Sequence, residues 1–387
     1  MDLHRDNLPV EFSILRYDPR PWRAADTLLI GMQMAKVLNS SWREELRKLH
    51  MLQSGDAQKV SYLFPSRLAQ EVAPGSNAWV VSGQHTANGK PMLANDPHLE
   101  FAMPSAWYMV HLKAGDLDVT GASLPGVPAV LIGHNGRIAW GETNLEFDLQ
   151  DLYGERVDAN TAKYAFRGQV EQGRILQSAI AVKGQKTVPA VGLVTRHGPL
   201  VASDQGQSYV MQWLTPGLNG PVDFPFLALN LAGNWQEFKA ALARFPGPAQ
   251  NFLYADVDGN IGYHAAGAIP IRSPGCGGDV PSDGSAGQCE WLGVVPFDDL
   301  PEVYNPPSGV IVSANQNPFP ADYKYPVAGV FAPPYRAQQI RDRLVSKPKW
   351  TAEQMLTIQK DVYSGFLHRL AKQTVKAWDA KPAQSSK

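Results

Sequence analysis

Cysteine is nearly missing from this sequence, neither charge sign dominates it, and no long apolar run interrupts it. Each absence removes a class of function. The two cysteines, Cys276 and Cys289, form no Cys-x-x-Cys pair, which excludes the common zinc modules. Lys and Arg number 35 against 36 Asp and Glu, so the formal net charge is −1 and the basic excess of a nucleic-acid binder is lacking. No apolar stretch approaches the roughly 20 residues that a membrane-spanning helix requires. The opening run Met1-Asp2-Leu3-His4-Arg5-Asp6 carries no apolar signal region. The familiar catalytic loops are missing too. Gly121-Ala122-Ser123-Leu124-Pro125 lacks the last glycine of a Gly-x-Ser-x-Gly elbow. No His-Glu-x-x-His helix, Gly-x-x-x-x-Gly-Lys loop or Gly-x-Gly-x-x-Gly turn occurs.

What is present suits a folded chain. Hydrophobic residues make up 44% of it, enough for a sizeable core in one large domain or two ordinary ones. Cys276 and Cys289 bracket a Gly-rich stretch and read either as a disulfide, which needs an oxidising compartment, or as two free thiols. A helical stripe runs from Ala24 to Leu49, with Asp26 as N-cap, and residues 51–74 read as mixed and loop-like. From Asn77 onward strands and tight turns dominate. Asn88-Gly89, Asn135-Gly136 and Asp258-Gly259 are two-residue hairpin signals between strand-type runs. Helices return at Asn234–Phe245, Pro334–Val345 and Thr351–Trp378, and the tail Lys381–Lys387 reads as frayed. The expectation is an α+β fold of mainly antiparallel sheets with helices on their faces.

Polar residues cluster at strand ends: Gly75-Ser76, Asn95-Asp96-Pro97-His98, Gly141-Glu142-Thr143-Asn144 and Gln250-Asn251. Taken singly, each is an ordinary turn residue. Their order is more specific. Asn77-Ala78-Trp79-Val80-Val81-Ser82-Gly83, Ala94-Asn95-Asp96-Pro97-His98-Leu99, Leu124-Pro125-Gly126-Val127-Pro128, Ile132-Gly133-His134-Asn135-Gly136-Arg137-Ile138-Ala139-Trp140-Gly141 and Asp148-Leu149-Gln150-Asp151-Leu152-Tyr153 follow one another. Asn251-Phe252-Leu253-Tyr254-Ala255-Asp256, Gly259-Asn260-Ile261-Gly262-Tyr263 and Ser313-Ala314-Asn315-Gln316-Asn317-Pro318 continue the series. Together they resemble the penicillin acylase (penicillin amidase) family of N-terminal-nucleophile hydrolases, from about Pro19 to about Leu370.

That resemblance implies an αββα sandwich, incomplete in this chain, and an enzyme that cuts itself between Gly75 and Ser76. Residues 1–75 would be the end of a small subunit plus spacer. Residues 76–387 would be the start of a large subunit, the two forming a heterodimer. Ser76 would be the nucleophile, and its freed α-amine, with a reference pKa of about 7.7–8.0, would be the base. A glycine before it admits a strained backbone and leaves the attack uncrowded. The Asn251 side-chain amide and the Asn144 backbone N–H would hold the oxyanion. His98 would orient the amine or assist the cut, and Arg272 would lie near the active site. Asp148, Asp151 and Glu45 would hold one structural Ca²⁺, whose preference is for hard oxygen ligands. Met34 and Leu38 would line the acyl pocket. No organic cofactor, nucleic acid or membrane is implied. The substrate would be an acylated amine, such as a β-lactam nucleus carrying its acyl side chain, or an acyl-homoserine lactone. The intact protein would be periplasmic or secreted, its signal lying in a missing front.

Two other classes compete. One is an inactive remnant that serves only as a binding module. The other is a conventional serine hydrolase built on Ser123 and His134.

Overall fold

In the computed structural model the described residues are 7–39, 41–63, 75–99, 101–204, 206–214 and 224–380. The loop expected over 64–74 and the frayed tail Lys381–Lys387 lie outside them.

Strand β1 (Gly75–Val81) is the middle of a three-stranded antiparallel sheet, between β2 (Met92–His98) and the strand Val310–Ser313. It is buried on both faces, so its sequence is apolar at successive positions rather than alternating. Ala78 and Val80 face a second sheet, where they pack with Leu253, Ala255, Ile261 and Tyr263. Trp79 and Val81 face outward onto the helices Tyr335–Val345 and Ala352–Gln359, meeting Ile340, Leu344, Met355 and Ile358.

The second sheet has seven strands. Next come β3 (Tyr108–Ala114), β4 (Leu117–Ser123), β5 (Ile132–Asn135) and β6 (Ile138–Asn144). They lie in the order Glu302–Tyr304, Ile261–Ala266, Gln250–Asp256, β6, β5, β4, β3, antiparallel throughout. Its far face presents Trp140, Phe252 and Tyr254 to Phe226, Leu229, Trp235, Phe238 and Leu242 of two further helices, Phe226–Leu231 and Trp235–Leu242. The layers are thus helix, sheet, sheet, helix. Each large apolar side chain buried in them contributes about 1.5–3 kcal/mol. A third sheet of six strands holds β7 (Gln150–Glu155), which pairs with Gln207–Trp213 and, in parallel, with Ser282–Asp283. Leu152 of β7 belongs to a cluster with Tyr209 and Met211, against which Trp42, Leu46 and Leu49 of the helix Trp42–Ser54 pack.

Several sequence expectations need correction. The helix expected over Ala24–Leu49 is two, Ala24–Leu38 and Trp42–Ser54. The break falls where Ser41 gives its backbone N–H to Gln150 Oε1 and its hydroxyl to Asp148 Oδ1, contacts made from β7 and the turn before it. Asp26 is not the N-cap. It stands three residues inside the helix and accepts the N–H of Arg23, the true cap, at 2.8 Å. Residues 51–63, expected as loop, are largely helical: the helix runs on to Ser54 and another covers Ala57–Leu63. The helix expected over Thr351–Trp378 is divided at Lys360–Ser364, where Ser364 caps a new helix, Gly365–Asp379. Asn88-Gly89 does turn the chain, with Gly89 at φ 71°, but Gly83–His85 is a short 3₁₀ turn and the paired strands are β1 and β2. The hairpins at Asn135-Gly136 and Asp258-Gly259 form as expected. Cys276 and Cys289 are bonded to each other across 13 residues, a closure worth about 3 kcal/mol in chain entropy. Among the described residues no helix is long and apolar enough to cross a membrane.

Candidate active site

Ser76 is the second residue of β1 and is buried between the two sheets. Its backbone N–H donates to Asn315 Oδ1 at 2.7 Å, and its hydroxyl donates to the Gly75 carbonyl at 2.7 Å. Asn315 follows the strand Val310–Ser313 in the left-handed region, φ 64°, a conformation asparagine tolerates. Its amide donates in turn to the Asn144 carbonyl at 2.8 Å. The same carbonyl accepts from Asn251 Nδ2 at 3.2 Å, and Asn251 Nδ2 also lies 3.1 Å from Thr143 Oγ1. A continuous amide network therefore runs from Ser76 through Asn315 and Asn144 to Asn251. Sequence motifs that lie far apart in the chain meet here because β1 lies over β6 and the strand Gln250–Asp256, which pair in register.

Two residues that hold this network were not singled out from sequence. Tyr263, on the next strand, donates its hydroxyl to Asn251 Oδ1 at 2.7 Å. Burial pushes its phenol far above the ordinary range, so it stays protonated and a donor. That bond fixes which end of the Asn251 amide is NH₂. Arg336, on the helix Tyr335–Val345, donates to the Ser76 carbonyl at 2.8 Å, to Asn77 Oδ1 at 2.8 Å and to Asn315 Oδ1 at 2.9 Å. No local motif marks Arg336. Asn315 and Tyr263 lie inside runs that resemble the family, and the signal for them was the run itself.

Gly75 sits in extended backbone, not in a strained region, so the strain expected of it is not seen. A side chain there would meet Arg336 and His98 Nδ1, both at 3.4 Å. His98 is therefore next to the Gly75–Ser76 bond. Its Nε2 lies 3.2 Å from Asp96 Oδ2 and 3.2 Å from Asn77 Nδ2.

Arg272 was expected near the active site. It lies with Asp148, Asp151 and Glu45 at the junction of β7 and the helix Trp42–Ser54. Its guanidinium donates to Asp151 at 2.8–3.1 Å and to the Asp148 carbonyl at 2.8 Å. Trp291 Nε1 donates to Asp151 Oδ2 at 2.6 Å. Glu45 accepts the Leu152 N–H at 3.0 Å, and its other oxygen is buried without a partner. Burial, reinforced by Asp148, pushes Glu45 up to about 10, and burial pushes Asp148 up to about 7. The expected carboxylates do gather, but around a guanidinium. Among the described residues no group of three acidic, His or Cys side chains is arranged to hold a metal ion. As they stand, Arg272 and Trp291 engage both Asp151 oxygens, and a guanidinium rather than a metal ion faces the carboxylates.

The serine-hydrolase alternative fails on geometry. Ser123 is buried with its hydroxyl given to the Val127 carbonyl at 2.8 Å. His134 pairs with Thr120, three positions from Ser123 and so on the opposite face of the sheet.

An apolar cavity of about 90 Å³ opens on the helix side of β6, lined by Met34, Leu38, Leu124, Leu131, Phe226 and Phe245 among others. Met34 and Leu38, expected to line an acyl pocket, are among the residues around this cavity. Ser76 does not line it; the cavity reaches the network around Ser76 through Gln250 and Leu38, which hydrogen-bond the Asn144 side chain. Glu142 also lines it, and burial pushes its carboxyl up to about 8. A raised acid favours the fold while neutral. Its contribution is complete below the ordinary value of 4.5 and is lost as the pH rises through about 8. The melting temperature is therefore expected to fall across that window, and Glu142→Gln to flatten the fall. The effect amounts to a few kcal/mol at most, less for water entering the cavity. Parallel pH profiles for the two proteins would count against it.

A family model described as penicillin amidase matches residues 1–386. The penicillin acylase 2 proenzyme of Pseudomonas sp. (strain SE83) is 28% identical over 400 residues, which cover 92% of this chain and 51% of that protein. An acyl-homoserine lactone acylase, QuiP, of Pseudomonas fluorescens is 28% identical over 412 residues, 95% of this chain and 50% of that one. Among solved structures, the thermostable penicillin G acylase from Alcaligenes faecalis superposes with a TM-score of 0.69 at 28% identity, covering 80% of this chain and 56% of the other. The likeness bears out the N-terminal-nucleophile fold. This chain spans about half the length of the curated relatives it matches.

Proposed function

Because the chain belongs to the penicillin amidase family, we propose that it is the nucleophile-bearing part of an acylase that hydrolyses the amide of an acylated amine through an acyl-enzyme on Ser76. One observation carries this reading. The Ser76 nitrogen is held by Asn315 at one end of a network whose other end is the Asn251 amide. Once the Gly75–Ser76 bond is cut, that nitrogen becomes an amine beside its own hydroxyl. It takes the hydroxyl proton as Oγ attacks the acyl carbon, and returns it to the departing amine. Asn251 Nδ2 and the Asn144 N–H stabilise the oxyanion. Water then releases the acid. Residues 1–75 and 76–387 remain together as two subunits, held by such contacts as Ser41 to Asp148 and Glu45 to Leu152. The experiment is N-terminal sequencing of the purified protein, paired with turnover of an acyl amide. A chain starting Ser76-Asn77-Ala78 is expected. An intact N-terminus with no turnover overturns the reading in favour of a binding remnant. The bonded cysteines favour an oxidising compartment, periplasmic or extracellular.

In the acidic cluster, Arg272 supplies the positive charge that calcium was expected to bring. Chelator or added calcium is expected to move the melting temperature of the native chain by less than about 1 °C, since a ligand without a site confers nothing. Arg272→Met removes the internal cation and leaves Asp151 uncompensated, at a cost of about 3–5 kcal/mol. Calcium is then expected to restore part of the loss. A native chain whose melting temperature drops by several degrees in chelator would instead establish the calcium site.

A further inference from the structure

The apolar cavity beside the site holds one group that the acylase chemistry does not use. Three polar side chains line it: Thr27, Gln250 and Glu142. Thr27 gives its hydroxyl to the Gly126 carbonyl, and Gln250 gives its amide to Asn144 Oδ1. The Glu142 carboxyl makes no hydrogen bond or ion pair with any described residue. Its backbone, by contrast, is clamped. Asn95 Oδ1 accepts the Glu142 N–H at 2.9 Å and Asn95 Nδ2 donates to the Glu142 carbonyl at 3.0 Å. A Cβ on the preceding Gly141 would meet Asn95 at 2.9 Å, so the clamp leaves no slack. Glu142 is half-buried, and its carboxyl stands in an apolar wall with no described protein partner, so a bound group that hydrogen-bonds to it offsets the desolvation that filling the pocket imposes.

Position says where that group must be. Glu142 shares a face of β6 with Asn144, two residues on, an advance of about 7 Å. If the acyl carbonyl sits at the Asn144 N–H, the Glu142 carboxyl meets the acyl group roughly four to six bonds beyond the carbonyl.

We propose that Glu142 determines the acyl specificity of this site, selecting acyl groups that carry a hydrogen-bond donor at their far end, a hydroxyl or an ammonium, over plain hydrocarbon. The inference rests on the acylase reading for the placement of the acyl carbonyl. A site built around a buried polar group rejects an analogue lacking the partner far more strongly than an apolar pocket rejects an extra methyl.

The test uses three matched amides of aminomethylcoumarin, with para-hydroxyphenylacetyl, para-(aminomethyl)phenylacetyl and para-methylphenylacetyl groups. Binding of the corresponding N-methylamides is measured by calorimetry on the same protein. The two donors are expected to be preferred over the methyl compound by about tenfold or more in kcat/KM and in affinity. Glu142→Leu is expected to erase or reverse that preference. Glu142→Gln is expected to keep the preference for the hydroxyl and lose that for the ammonium, which tells the two donors apart. Equal handling of all three by the native protein, an unchanged preference in Glu142→Leu, or no measurable binding of any overturns the proposal. Binding that follows Glu142 without turnover of any amide would instead overturn the acylase reading and leave the pocket assignment standing. Turnover indifferent to Glu142 does the reverse.

Discussion

Ser76→Ala is expected to yield a single uncut chain with no amidase turnover. The serine is asked to act twice, first on the Gly75 carbonyl and then on the substrate. Its hydroxyl already lies against that carbonyl, 2.7 Å from the oxygen. Alanine keeps the backbone N–H that Asn315 accepts, so the network around the site survives while the attacking atom is gone. Loss of a nucleophile of this kind lowers turnover by about 10⁴-fold or more. Stability should change little, because among the described residues the hydroxyl has no partner other than the neighbouring carbonyl. Mass spectrometry reads the cut and a fluorogenic amide reads the turnover. Ser123→Ala is the control, and full activity is expected of it, since among the described residues its hydroxyl serves only the turn at Leu124–Val127. If Ser76→Ala still cleaved amides and Ser123→Ala did not, the nucleophile would have to be reassigned.

What made the fold legible was local chemistry. Asn135-Gly136 and Asp258-Gly259 each state a hairpin within two residues, and Asn234 with Glu237 states a helix start that the structure keeps at 3.0 Å. What escaped was decided by partners distant in sequence. The apolar stripe of Ala24–Leu49 gives no warning of a break, because Ser41 leaves the helix to reach Gln150 and Asp148, more than a hundred residues away. The site divides along the same line. Ser76, Asn144 and Asn251 stand in runs with a recognisable order, and the network joins them. Arg336 stands in no such run and reaches Ser76 across 260 residues. Arg272 enters only through the resemblance, whereas its actual partner is set by charge: a buried guanidinium goes where carboxylates can neutralise it, and Asp151 does so. Glu142 had a readable sign. In Ile138-Ala139-Trp140-Gly141-Glu142 it takes the phase of the two apolar residues that face the core. An ionisable side chain in that phase marks either a satisfied polar contact or a pocket wall.

Asn251→Ala is expected to leave self-assembly of the fold intact and to lower kcat by about 10²–10³-fold, the usual loss for one oxyanion donor. The amide lies between Tyr263, which donates to its oxygen, and Thr143 and Asn144, which accept from its nitrogen. The oxygen end is therefore assigned to Tyr263, and the NH₂ group is the donating end. Tyr263 is then a positioning residue. Tyr263→Phe removes the bond that fixes the amide without removing the amide, so a fall of about tenfold in kcat with KM little changed is expected, smaller than for Asn251→Ala. The double variant supplies the decisive comparison. If Tyr263 acts only by aiming Asn251, adding Tyr263→Phe to Asn251→Ala costs nothing further in kcat, because a lost donor cannot be mis-aimed. Additive losses would mean that the tyrosine acts on the reaction by another route, or that its removal loosens the strand pair beneath the site.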